Sequence, residues 1–237
     1  SIAMGHDTTA DGREGIAFGY LSRSIGDYSV AIGSEATTGF ASSVAIGKNA
    51  GAGVAFSVCI GRNATATYDA TNLGYNTVIG YGSFARDQYN TNVGALSDST
   101  GSHNVTIGYN ADSLQYRNVT IGNDAKNQHY ESVAIGNNAL GYAFGVTIGT
   151  DATTLSTGGI AIGRQVESGI YGVGIGYQAE ATGNSCTAIG KASSTGDFAI
   201  AIGNYAGALG EYSICIASNN STSSAPAARN LHSIAIG

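Results

Sequence analysis

Along nearly the whole chain a four-residue pattern, apolar–small–apolar–Gly, returns at intervals close to 14 residues. It runs from Ile2-Ala3-Met4-Gly5 to Ile234-Ala235-Ile236-Gly237, with Ala217 in the glycine's place in one unit. There are 17 units; eleven of the intervals are 14 residues, three are 13, and two are stretched to 19 and 20. The residue before the repeat glycine is apolar in every unit, mostly Ile, and the residue two further back is usually Val or Ile. Between them stands Ala, Thr, Cys or Gly, with Val78 and Asn92 as exceptions. Alternation of period two with β-branched residues predicts a short strand in each unit.

Fourteen residues are too few for a strand, a helix and a second strand, but they suffice for two short strands and two turns. A small residue three after the glycine (Ala36, Ala50, Ala64, Ala111, Ala139) is expected to lead into the return strand. Further glycines near the second turn, such as Gly39, Gly53 and Gly101, suit tight corners. Stacked coils then pair in parallel, about 4.8 Å apart. The predicted fold class is all-β, a two-sided β-solenoid forming a rod, with the whole of residues 1–237 as one array.

The alternation assigns two faces. Apolar residues are expected in the core, represented by Val30, Ile32, Val44, Ile46, Val133 and Ile135. The small column, with Ser or Asn four before the glycine, contains no long charged residue, so it is expected to lie against other copies of the chain. That predicted interface comprises Ala31, Ser43, Ala45, Cys59, Asn76, Asn90, Asn104, Asn118, Ala134, Ala161, Ala188, Ala201 and Cys215. One coil alone buries too little to offset the ordering of its residues, which also points to a cyclic oligomer.

Ser43-Val44-Ala45-Ile46-Gly47-Lys48-Asn49-Ala50 resembles the head repeat of trimeric autotransporter adhesins of the YadA type, as do the segments at 29–36 and 132–139. The resemblance covers the chain. It implies a left-handed parallel β-roll, a homotrimer about a threefold axis, and display at a bacterial surface through an outer-membrane anchor outside this segment. It also implies attachment to a host matrix protein or a surface glycan, a role tied in that family to Ser-Val-Ala-Ile-Gly repeats. No signal peptide, neck, stalk or anchor is read here, and the chain starts and stops at the same repeat phase, as a slice of a longer fibrous protein would. Similar repeats occur in phage and viral fibres, so a receptor-binding virion fibre and a passive spacer are the alternatives.

Composition sharpens this picture. The chain has 36 Gly, one Pro, 11% charged residues and a net charge of −6, which excludes collagen and argues against disorder. No apolar run is long enough to span a membrane. Scattered basic residues argue against nucleic acid. The histidines share no spacing with carboxylates, and no metal, phosphate-loop or nucleophile motif occurs, so no enzyme activity and no cofactor are expected. The cysteines are too far apart along the stack to pair within one chain and read as buried thiols; metal binding at a symmetry axis is the other reading.

Aromatic residues five before the glycine (Tyr28, Phe56, Tyr75, Tyr89, Phe144, Tyr171, Phe198, Tyr212) read either as corner packing or as an exposed binding strip. The Asn run from Asn76 to Asn118 reads as a ladder of amides, or else as an axial polar channel. Candidate ligand contacts are Tyr20, Tyr81, Tyr109 and Tyr177, just after repeat glycines, with Pro226 and Arg229. The latter two fall in the second of the long intervals, within 62–75 and 218–231, which predict surface insertions.

Overall fold

A computed structural model describes residues 1–67, 74–218 and 226–237; most of the two insertions lies outside the described residues. The chain forms two compact units, Ser1–Asp124 and Ala125–Gly237. Each is an all-β parallel solenoid of coils close to 14 residues.

The coil is built as the sequence pattern requires. A three-residue strand, such as Val44–Ile46, ends at the repeat glycine; a return strand of two or three residues, such as Gly51–Ala52, follows the first corner. Strands of the first kind stack into sheet A, with Val44, Ala45 and Ile46 opposite Val58, Cys59 and Ile60. Return strands stack into sheet B, where Thr37 and Thr38 pair with Gly51 and Ala52. The second unit repeats this, with Ile160 opposite Val173 in sheet A and Glu167 opposite Glu180 in sheet B. Each residue type therefore becomes a column running across the strands.

Two left-handed residues turn each ordinary coil. The first stands two after the repeat glycine, where Asn49 and Asn110 have φ of 55° and 51°, a conformation Asn tolerates well. The second stands five before the next glycine and includes Tyr28, Phe56 and Tyr89 at φ 57° to 59°. A non-glycine residue there is strained. The strain is offset by the coil-to-coil ladder, in which the Tyr28 amide donates to the Arg13 carbonyl at 2.8 Å.

These tight corners bring the two sheets back to back, and the narrow interior reverses the expected faces. Ala31, Ala45, Ala134, Ala161, Ala188 and Ala201 are completely buried within their own chain, as are Ser43, Cys59 and Cys215. Asn76, Asn90, Asn104 and Asn118 are buried with them. They face the return strands, not another copy, so the predicted interface column is the core. Conversely, Val30, Val44, Ile46, Val133 and Ile135 are only partly buried, and Ile32 is 36% exposed. These predicted core residues lie on the outer face of sheet A. The physical reason is space: the interior accepts Ala, Ser, Thr or Cys from each sheet, and a full Val/Ile column does not fit.

Local exceptions obey the same limit. Val166 occupies a column of alanines, and its partner across the interior is Gly174, where a Cβ would sit 2.7 Å from the Val166 Cγ1. Asn127 has Gly141 as its register partner on the next coil of sheet B, where a Cβ would come within 1.9 Å of the Asn127 Oδ1. One polar stretch of the interior satisfies itself. Asn92, Ser99, Thr106, Ser113 and Thr120 form a continuous chain of side-chain hydrogen bonds, 2.7–2.9 Å long, alternating between the sheets.

Candidate functional site

Four surfaces leave the solenoid: two sheet faces and two corners. On sheet A the outward columns are almost entirely aliphatic, and Ile60, Ile79, Ile148, Ile175 and Ile189 stay exposed in the single chain. An apolar face of this kind, present in each unit, is unusual for a free surface. The outward column of sheet B is mixed, carrying Arg23, Asp98, Asp112, Lys126, Glu167 and Glu180. Charge is accepted there but not on sheet A. Within that column Asp98 and Asp112 are register partners. Burial, then the neighbouring Asp112 charge, raises the Asp98 carboxyl above its ordinary range, with Arg86 opposing.

The aromatic column lies at the second corner and is solvent-exposed. Phe56, Tyr75, Tyr89 and His103 form one stack, with centroid spacings of 5.0, 5.1 and 4.8 Å. In the second unit Phe198, Tyr212 and His232 stack at 5.0 and 5.2 Å. The rings thus pack on one another at the corner and are also exposed there. Their faces are mostly consumed by neighbouring rings, leaving edges towards solvent. The first-corner group, Tyr20, Tyr81, Tyr109 and Tyr177, is also exposed. Most of its rings are taken up locally: Tyr20 stacks on His6, Arg62 lies over Tyr81, and Arg164 and Lys191 over Tyr177. Pro226 and Arg229 line a groove on sheet B together with Lys191 and Tyr205.

The asparagine run is a ladder, though between side chain and backbone. Asn76 Oδ1 accepts from the Asn90 amide at 2.9 Å, Asn90 Oδ1 from Asn104 at 3.0 Å, and Asn104 Oδ1 from Asn118 at 2.9 Å. The Nδ2 groups of Asn76, Asn90 and Asn104 donate to turn carbonyls at 2.6 Å. In several other coils the equivalent amide donates within its own turn, as from Ala199 to Gly196 at 3.3 Å. Burial inside one chain leaves no axial channel at these residues.

All three cysteines are buried free thiols. Burial pushes the Cys59 thiol up to about 12, and a backbone hydrogen bond at Ala66 only partly opposes it. Its ordinary value is 9.0, so only the unfolded chain ionises between pH 9 and about 12, and stability falls with rising pH across that window. Thiol reagents at about pH 8, below the ordinary thiol range, are expected to leave Cys59, Cys186 and Cys215 unlabelled until the chain is denatured. Rapid labelling of native Cys59 would contradict its interior position. Among the described residues, no group of three or more His, Cys, Asp or Glu is placed to hold a metal ion.

Against known families, the chain matches the YadA head domain repeat (2 copies) over residues 1–22, 24–50, 168–193 and 194–214. Comparison with curated proteins finds no match. The matched segments fall in both compact units and contain the strand, glycine and corner just described. By repeat and by coil, those segments are similar to the YadA head domain repeat.

Proposed function

We propose that the chain is the head module of a trimeric adhesin at a bacterial surface, anchored in the outer membrane through a segment outside this sequence. Three copies with left-handed coils pack the aliphatic faces of sheet A around a common axis. Sheet B and the corners then face outward, for attachment to host matrix or another cell surface. The observation that carries this reading is the segregation of the two outer faces, one aliphatic in coil after coil and the other mixed and charged. Such an apolar face is stable in water only when covered. A second copy of the same face offers matching columns at the same spacing, and the YadA-like repeat supports the number three. The repeat and the solenoid are typical of structural adhesins rather than enzymes.

Sedimentation equilibrium tests the assembly. The chain weighs 23.8 kDa, and a particle about three times that mass is expected. A stable particle of the single-chain mass would overturn the trimer.

A further inference from the structure

A cavity of about 470 Å³ opens on the outer side of sheet B in the second unit. Two sequence features carve it. Its floor is the register column Glu180, Ser193, Gly207, Ala227, whereas the same column elsewhere carries Phe84, Lys126, Leu140 or Glu167. Beside the floor, the corner Gly190-Lys191-Ala192 is one residue shorter than its neighbours. It lacks the usual left-handed residue, and Gly190 relaxes to φ 93°.

The walls are chemically specific. Lys191 Nζ donates to the Tyr205 hydroxyl at 3.0 Å and lies 4.6 and 5.6 Å from the Tyr205 and Tyr177 ring centres. Its ammonium is thus positioned by aromatic groups instead of an acid. Arg229 lines the same groove. Neither cation makes an ion pair among the described residues. Glu180 Oε2 accepts from Ser193 Oγ at 3.0 Å, and Gln178 adds a further amide. Two cations against one carboxylate favour an anionic ligand, and the remaining groups suit hydroxyls. The floor backbone is already committed to the ladder: the Ser193 amide donates to Ala206 at 2.9 Å and the Gly207 amide to Pro226 at 3.2 Å. A peptide therefore has no open strand edge here to extend.

We propose that this groove binds a short acidic saccharide, its carboxylate held by Lys191 and Arg229 and its hydroxyls by Glu180, Gln178 and Ser193. The volume is in the range of small-ligand sites. The proposal rests on the attachment reading, since it needs sheet B to face outward.

The test is calorimetry on the assembled protein with a uronic-acid trisaccharide and its carboxyl-reduced twin. The acid is expected to bind at least about tenfold more tightly than the twin, and K191Q or R229Q to remove that preference. G207L fills the floor and abolishes binding. A Cβ there meets nothing nearer than the Ala227 Cβ at 3.4 Å, so the coil accommodates it. G51L, at the matching column position in the first unit, leaves binding intact. Equal affinity for acid and twin, undiminished binding by G207L, or preference for an acidic peptide would overturn the proposal. A trimer that binds no saccharide overturns the groove assignment alone, whereas a single-chain mass overturns the attachment reading beneath it.

Discussion

Substituting Leu for Ala45 is expected to unfold the coils around it, while substituting Lys for the adjacent Ile46 leaves them folded and abolishes assembly. Ala45 is 0% exposed and stands between Ala31 and Cys59 in its column. Sheet B lies directly across, with Ala52 also fully buried. Three added carbon atoms have nowhere to go except by forcing the sheets apart. Overpacking typically costs about 1–3 kcal/mol, and the upper end applies where backbone forms both walls. Ile46 has the opposite situation. In one chain its side chain reaches solvent, where a Lys is nearly neutral to folding. In the proposed trimer it becomes an unpaired buried charge, which costs several kcal/mol and recurs in each copy. Circular dichroism melting and sedimentation mass read the two effects separately. A folded, trimeric Ala45→Leu chain would return the small column to the outside.

Gly108→Ala is expected to be at least as damaging, although it adds a single methyl group. Gly108 has φ +143°, where an L-residue is strained. A Cβ there would also sit 2.0 Å from the carbonyl oxygen of Gly122 in the next coil. Strain and collision together put the loss on the order of 4 kcal/mol, among the largest single-site effects. Gly51→Ala is the contrast: its backbone is ordinary and the nearest atom, Thr65 Cγ2, is 3.7 Å from the new Cβ. A change of under about 1 kcal/mol is expected there. Urea unfolding of both variants decides the matter, and equal losses would remove the stacked corner as the reason for the repeat glycine.

Period, strand positions, corner glycines and parallel stacking are all legible in the sequence, because each depends on spacing along the chain. The facing of the strands is not. Hydrophobicity assigns Val44 and Ile46 to the core, yet apolar residues also make up much of any protein's exterior. The sounder signal is size. A column restricted to Ala, Ser, Thr, Cys and their like marks confinement, and the nearest confinement is the coil's own interior. The aromatic strip is one of the two alternatives the sequence offers, but its exposure follows from the left-handed corner geometry of Tyr75 and Tyr89, which alternation does not reveal. The groove is invisible for another reason. Its floor joins Ser193, Gly207 and Ala227 only once coils of unequal length are in register, and the short corner at Gly190 shows in the sequence merely as a 13-residue interval.

The asparagine ladder bears on fidelity of folding. Coils with near-identical columns can pair one step out of alignment with little loss of apolar contact. Four consecutive buried asparagines make that slippage costly. The Oδ1 atoms of Asn76, Asn90 and Asn104 each need the amide of the next coil, and a shifted stack would present one to a turn whose amide is already engaged. The orphaned amide would cost about 1–3 kcal/mol, much as a lone buried Asn fixes alignment in paired helices. Asn76 to Asn118 thus act as an alignment mark in an otherwise repetitive chain.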